Sequence, residues 1–491
     1  MIKRERSILL ILLFFIISCS IALAQWTQVR TGIDYRKFTL SDPNNVFVTR
    51  LDRSNLNCTI DSCIAQGQLI SGKERVSGMA TRYDDTIGYW GQAWGARYDV
   101  VTAINGDGFS TDQPTNGQII SGWYAKRFNE FGGGGFAWKI DRDVFMGGCV
   151  CHWGYKNIVS YPRTANTQEF TSINRTRGTN ELIIYTPQWG TNTATNASGV
   201  EVLVEMTTPL LIMPTPNYCK GYVRQVRQNQ GSTPIPFDHI VLSATGSQAT
   251  ELLSNVSVGD EVHVSLEIRH YMDDCSTSNP NDWTKTYCSI GYMTFIYLRD
   301  GVVVQTYTNP QAYNLEPRTA VAYNDNYIFF IVCDGRSSIS RGMSMPELGD
   351  FCKNQLGATW GMNQDGGGSS TLWVDGAVKN SPSDITGERN VTNGLMMISV
   401  IPMSQSAAFL SGDKVVSPDA AGIRLGPGTN YGTLWSTTAG QEGVILAHTI
   451  NGVFAKGQSW WKCSFGSYEG WISENSIVPK PTSAGQWTMY E

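Results

Sequence analysis

The stretch Asn363-Gln-Asp365-Gly366-Gly367-Gly368-Ser369-Ser370-Thr371 places one carboxylate beside three glycines and three hydroxyls. Glycines admit positive φ and remove side chains, so main-chain N–H groups can turn toward a ligand next to Asp365. Such a loop suits an oxygen-rich, anionic group, although a tight turn alone would also use three glycines. Asn105-Gly106-Asp107-Gly108-Phe109 repeats the arrangement, with small residues and a carboxylate following an apolar run, Tyr98–Ile104. Cys333-Asp334-Gly335-Arg336, Glu316-Pro317-Arg318 and Glu388-Arg389 add carboxylate and guanidinium groups beside predicted strands or glycine turns. Any one of these charges alone reads as a solvated surface group.

These residues need rigid elements to position them. Ser344-Met-Pro346-Glu347 forms a capping box with proline in the first turn, and Leu348, Phe351, Cys352 and Leu356 follow at helical spacing. Gly357 ends that predicted helix. Strands are predicted at Ala358–Asn363 and Thr371–Val374, so Asp365 stands where a strand ends. Val46–Asp52, Tyr98–Ile104, Glu181–Tyr185, Val200–Met206, His239–Leu242, Glu261–Ile268, Met293–Leu298, Val302–Tyr307, Thr319–Tyr323 and Ile328–Val332 also read as strands. Helix signals are few, and the expected class is α+β, a large mixed β-sheet domain with few helices followed by a small all-β unit.

At 491 residues, 41% hydrophobic and 16% charged, the sequence describes an ordinary globular chain of two to three domains. Lys3, Arg4 and Arg6 precede an apolar run from Ile8 to Ile17 and then Ala22-Leu-Ala24, the layout of a cleaved secretory signal over residues 1–24. Ile16-Ile-Ser-Cys19 offers an alternative, lipoprotein-like site that would tether the chain through lipid on Cys19. The expected location is secreted or extracytoplasmic, with no transmembrane span in the mature chain. Without residues 1–24, 34 basic residues face 41 acidic ones, a net charge of −7, which disfavours nucleic acid as a partner. Ten cysteines remain, and Cys58/Cys63 and Cys275/Cys288 are the pairs most easily joined by disulfides. Cys149-Val-Cys151-His152 carries metal-ligand types but has no second pair at ligand spacing.

From residue 403 to 422 the composition turns to Ser, Ala, Gly and Asp, the signature of a linker and the start of a small domain over 423–480. There, Arg424-Leu-Gly426-Pro427-Gly428 and Gly470-Trp471-Ile472 resemble the ends of a bacterial SH3-like domain, which implies a peptide or cell-wall ligand. The larger segment, 25–402, carries Arg318-Thr-Ala-Val-Ala-Tyr323, Asp334-Gly-Arg336, Ser340-Arg-Gly-Met-Ser-Met-Pro-Glu347, Asp365-Gly-Gly-Gly-Ser-Ser-Thr371, Asn380-Ser-Pro-Ser-Asp384 and Glu388-Arg389-x-Val-x-Asn393. Together these resemble the phosphodiester glycosidase family. Asn105-Gly106-Asp107-Gly108-Phe109 departs from the Asn-Gly-Gly-Phe-Phe of many of its members.

The resemblance implies cleavage of a sugar 1-phosphodiester of the N-acetylglucosamine type at the anomeric carbon, in envelope or extracellular glycans. The leaving phosphomonoester needs little protonation, so the site needs a phosphate clamp and a carboxylate. Arg318 and Arg336 are the candidate clamp, assisted by the amides of Gly366, Gly367, Gly368 and Ser369, with Ser370, Arg389, Asn105, Asp107 and Asn393 as further substrate contacts. Asp365 is the candidate nucleophile or general base, and Asp334 or Glu388 the second carboxylate of a glycosidase pair. Asp107, Asp334 and Asp365 are candidate ligands for a divalent cation, though no spacing establishes one. Two other readings fit the same residues: a polysaccharide glycosidase acting on an ordinary glycosidic linkage, and a non-catalytic glycan or cell-wall binding protein.

Overall fold

The computed structural model describes residues 25–481, except 91–92, 128–134, 148–149, 153–156, 209–216, 272–277, 280–285 and 292–294. The signal segment with Cys19, and Cys149 and Cys275, lie outside the described residues.

Two antiparallel sheets position the glycine loop. The first runs in the order Thr27–Arg30, Ile33–Leu40, Asn44–Asp52, Tyr327–Cys333, Arg318–Tyr323, Trp360–Asn363, Ile296–Arg299 and Val302–Val303. The second contains Ala377–Val378, Leu372–Val374, Ala93–Asn105, Asn393–Ile401 and Cys58–Ile64. Side chains alternate across a strand, and here both faces of Tyr327–Cys333 are buried. Ile328, Phe330 and Val332 join the core with Ile60, Ile104, Leu372 and Met396 of the second sheet. Phe329, Ile331 and Cys333 face the opposite way, toward Leu348, Phe351 and Cys352 of a helix. A continuous apolar run is therefore what this strand requires.

That helix spans Met345–Leu356, with the Ser344/Glu347 capping box formed and Gly357 left-handed at φ 64°. The sequence does not announce two further helices among the described residues, Val76–Tyr83 and Gly246–Asn255. The predicted strand Glu261–Ile268 is interrupted, with Glu261–Ser265 followed by Ile268–Tyr271, and the one starting at Val302 stops at Val303. An eight-stranded sheet drawn from residues 158–265, a five-stranded sheet, Val144–Gly147 to Trp123–Lys126, and a three-stranded sheet of Val150–His152, Ile268–Tyr271 and Ser278–Asn279 also belong to the large segment.

The proposed Cys58/Cys63 bridge does not form. Both thiols lie in the strand Cys58–Ile64, and five extended residue steps place their Cα atoms roughly 16 Å apart, against about 6 Å for bridged Cα atoms. Cys288, Cys333, Cys352 and Cys463 are likewise single buried thiols.

Residues 403–422 have a linker's composition but are bonded into the C-terminal unit. Ser406 N donates to Gly452 O at 2.7 Å, Phe454 N donates to Ser404 O at 2.9 Å, and Phe409 packs against Trp461. This unit is an antiparallel sheet from Lys414–Ser417 to Val478–Pro479. It is fastened to the large segment by a shared apolar cluster in which Ile87 and Phe237 meet Ile450, Trp460 and Trp471. Among the described residues, no helix is long and apolar enough to cross a membrane.

Candidate functional site

Trp360–Asn363 ends one residue before Gln364, and the loop then turns as a single 3₁₀ turn, Gly367–Ser369. Both sheets hold it. Asp365 N donates to Gly106 O at 2.9 Å, and Gln364 N to Thr319 O at 2.8 Å. Asn105, wholly buried at the end of its strand, donates from Nδ2 to Asp365 O at 2.7 Å. Its Oδ1 accepts from Thr319 Oγ1 at 2.7 Å and from Thr371 N at 3.1 Å. Asn105 is thus a positioning residue rather than a substrate contact.

Each glycine has its own steric reason. A Cβ at Gly366 would lie 2.8 Å from Pro317 O; one at Gly367, itself at φ +60°, would lie 3.1 Å from Arg336 Nη2; one at Gly368 would lie 2.3 Å from Arg389 Nη2. Two guanidinium groups therefore rest directly on the glycine loop. Arg336 is held there by Glu316, its Nε donating to Oε2 at 2.7 Å, and its backbone is left-handed at φ 61°. Arg389 donates from Nε to Asp384 Oδ2 at 2.6 Å and from Nη1 to Ser369 Oγ at 3.2 Å. Their side chains keep 48% and 39% exposure, so both can still reach a ligand.

Two of the loop amides are already bonded to carbonyls of the chain, and a third turns inward. Gly367 N donates to Pro317 O at 2.9 Å and Ser369 N to Gly366 O at 3.2 Å, while the Gly366 amide turns to the carboxylate of Asp365. The cationic groups left open beside this loop are guanidinium groups. Arg318 is not one of them. It is buried, donating from Nε to Met343 O at 2.7 Å and from Nη2 to Asn314 O at 2.6 Å, and so anchors the turn before its own strand.

The carboxylates separate by environment. Burial pushes Asp365 above the ordinary carboxylate range, opposed by Ser369, by the charge of Arg389 and by the Gly366 amide. Burial also raises Asp334, but its oxygens accept from Asn380 Nδ2 at 3.1 Å and Ser381 N at 3.0 Å. Through Asn380, which also donates to Ser370 O at 2.9 Å, Asp334 braces the loop from behind. Glu388 is a helix cap: Oε1 accepts from Ser77 N at 2.7 Å and Oε2 from Ser77 Oγ at 2.6 Å, at the first turn of Val76–Tyr83. The pairing of Asp365 with Asp334 or Glu388 as two free carboxylates is therefore not what the geometry offers.

Asp107 is raised to about 6 by burial, and its oxygens accept from Gly108 N at 2.8 Å and from Asn116 N and Nδ2 at 2.5 and 3.0 Å. Asn393 Oδ1 accepts from Asp107 N at 2.9 Å, and its Nδ2 donates to Gln118 Oε1 at 3.0 Å. Both hold the second glycine loop closed. Asp107, Asp334 and Asp365 do not converge as a cation site. Among the described residues, Glu205, Asp238 and His448 bring ligand-type atoms within 4.8 Å of one another. Each carboxylate oxygen there already meets a donor: Lys462, Arg224, His239 or His448. This cluster fastens the C-terminal unit to the large segment.

The functional partners that sequence reasoning did not assign are Glu316, Asp384 and Asn380. A local signal existed only for Asp384, which stands five residues before Arg389; Glu316 pairs with Arg336, 20 residues away, and nothing local points to it.

Residues 219–398 match the model of the phosphodiester glycosidase family. No curated protein is significantly similar in sequence. A solved structure of a hypothetical protein from Synechocystis shares the fold at TM-score 0.50 and 16% identity, over 77% of this chain and 64% of that one. The chain thus spans less than two thirds of that relative's length. An exported protein, as described, of Burkholderia pseudomallei K96243 aligns at TM-score 0.45 and 18% identity, over 73% of this chain and 74% of that one. The zebrafish N-acetylglucosamine-1-phosphodiester alpha-N-acetylglucosaminidase catalytic domain, auto-inhibited by its pro-peptide, aligns at TM-score 0.36 and 12% identity, over 76% and 86% of the two chains.

Proposed function

We propose that the chain is an exported hydrolase that cleaves the anomeric bond of a sugar 1-phosphodiester of the N-acetylglucosamine type. The observation that carries this reading is the pair of half-exposed guanidinium groups, Arg336 and Arg389, lying on Gly367 and Gly368 beside the half-buried carboxyl of Asp365. Guanidinium forks match phosphate oxygens, and two of them on one loop suit a phosphodiester better than a neutral glycoside. The domain match over residues 219–398 supports the same class of reaction.

In this reading Arg336 and Arg389 hold the phosphate and stabilise the charge that grows on the leaving phosphomonoester. Asp365, ionised, attacks the anomeric carbon or takes the proton of an attacking water. The bond from the anomeric carbon to the phosphate oxygen breaks, its electron pair leaves with the phosphomonoester, and a water oxygen ends on the sugar. A leaving group of this kind dispenses with a strong general acid, which fits one free carboxylate instead of two. Asp334 and Glu388 position the loop and the neighbouring helix. The basic and apolar start of the sequence supports export.

The C-terminal unit, by its resemblance to SH3-like domains, is proposed to bind envelope material. Leu425 O accepts from Phe237 N at 2.9 Å and Tyr431 packs on Phe237, so a ligand would meet strands away from this loop.

A chromogenic N-acetylglucosamine 1-phosphodiester assayed beside the plain aryl glycoside tests the reading. Turnover of the phosphodiester at a clearly higher kcat/KM is expected. Preference for the plain glycoside, or turnover of neither, would overturn it.

A further inference from the structure

Turn tips are normally polar, since they face water and need residues that bond their own backbone. Two turns next to the clamp break this pattern. Ser337–Ser340 follows Arg336, with Ser337 N donating to Ser340 O at 3.1 Å, and its tip carries Ile339 at 68% exposure. Asp384–Gly387 precedes Arg389, with Gly387 N donating to Asp384 O at 2.9 Å, and its tip carries Ile385, fully exposed at 101%. The two arginines on the glycine loop thus stand beside two short turns, each tipped by a solvated isoleucine. Asp384 is at once the base of its turn and the partner of Arg389. Leu315, 45% exposed, precedes Glu316, the partner of Arg336.

Three or four residues reach at most about 14 Å even when extended, and these are folded into turns. The Cα atoms of Ile339 and Ile385 therefore lie within that distance of the Cα atoms of Arg336 and Arg389, so each apolar tip shares a short loop with one arginine of the clamp. Scattered exposed hydrophobics need no explanation, but apolar tips on both clamp loops do.

We infer that the phosphodiester taken by this site carries an apolar aglycone, a lipid-like alcohol esterified to the sugar phosphate, whose chain is received by Ile339, Ile385 and Leu315. This inference rests on the phosphodiester reading above. The sugar would lie toward Asp365, the phosphate between Arg336 and Arg389, and the alkyl chain on the outer side of the guanidinium groups. Covering apolar surface at the rim raises affinity for the long-chain substrate without any new polar contact.

The test uses N-acetylglucosamine 1-phosphate esterified with methyl, hexyl or dodecyl chains, kept below their micelle concentrations. kcat/KM is expected to rise about tenfold or more from methyl to dodecyl, the gain from covering roughly one isoleucine side chain. The gain should appear mainly in KM, and the Ile339→Ser/Ile385→Ser double variant should bring the dodecyl-to-methyl ratio close to one. A flat series in the unaltered protein, or a rising series that the double variant leaves intact, would overturn the inference. If no ester is turned over, the hydrolase reading falls instead, and binding of dodecyl phosphate against methyl phosphate decides the apolar site. Tighter dodecyl binding, lost in the double variant, then supports the inference, and equal binding overturns it. A flat ester series accompanied by isoleucine-dependent sedimentation with phosphatidylcholine vesicles overturns it too, and assigns the tips to a bilayer surface.

Discussion

The side-chain amide of Asn105 donates to the main-chain carbonyl of Asp365 at 2.7 Å, across the seam between two sheets. The same side chain accepts from Thr319 and Thr371, so its three bonds set where the carboxyl of Asp365 begins. Asn105→Ala would strand buried donors and an acceptor. It should lower stability by about 2–4 kcal/mol in urea unfolding and lower activity further than the loss of folded protein accounts for.

Asp365→Asn keeps the shape and main-chain bonds of the residue and removes its charge. The variant should fold, hold its Tm within a few degrees, and lose on the order of a thousandfold in turnover. Burial raises this carboxyl, and the active form is the ionised one, so activity should fall as pH drops through a value above the ordinary carboxylate range. An active but destabilised variant would show that Asp365 only caps its turn.

Much of the frame around Asp365 is legible in the sequence because the signals are local. The capping box at Ser344, the left-handed Gly357 and the doubly buried run Ile328–Val332 each depend on neighbours within one element. What escapes is non-local. The helix Val76–Tyr83 has no cap of its own and receives one from Glu388, 311 residues away, so neither the helix nor the true role of Glu388 could be read. Arg318 and Arg389 exchange importance for the same reason: whether a guanidinium meets carbonyls or a glycine loop depends on which turn folds over it. Loop composition misled once, at 403–422, since Ser, Gly and Asp suit an ordered extended segment as well as a free one.

Asp61 allows a pH test of the core. It is buried and held up at about 7, with Ser62 N, Ser121 N and Ser121 Oγ donating to it. Between pH 4 and 7 the folded chain keeps a proton that the unfolded chain has released, so its contribution to stability is lost as pH rises through that window. Asp61→Asn stays neutral, can accept both amides and can donate to Ser121 Oγ. Its stability should be flatter from pH 4 to 8 and exceed the parent's above pH 7 by on the order of a few kcal/mol in denaturant titrations.

The C-terminal unit covers Phe237 and Ile87, and a chain ending at residue 402 would expose both. Lys456 N and Gly457 N also donate to Asp85, each at 2.9 Å. The truncated chain should show a Tm lower by several degrees or aggregate, and limited proteolysis of the full chain should not cut preferentially within 403–422. Rapid cleavage there, leaving a large fragment of undiminished Tm, would show instead that the units are independent.

Gly366 and Gly368 separate the fold of the loop from its chemistry. A Cβ at Gly366 meets the carbonyl oxygen of Pro317 at 2.8 Å, and main chain cannot swing aside. Gly366→Ala should therefore displace the loop and cost roughly 1–3 kcal/mol of stability, together with activity. The atoms nearest a Cβ at Gly368 are the far end of Arg389, 2.3 Å away at Nη2, and then Asp384 Oδ2 at 3.1 Å. The guanidinium can move, so Gly368→Ala should leave Tm nearly unchanged while pushing Arg389 off the loop and away from Ser369. If Arg389 holds phosphate, this variant and Arg389→Lys should lose phosphodiester turnover alike, by an order of magnitude or more, and weaken binding of inorganic phosphate in parallel. Combining the two substitutions should add little, because both remove the same contact. Full activity in Gly368→Ala at unchanged Tm would remove Arg389 from the clamp and leave Arg336 to hold the phosphate alone.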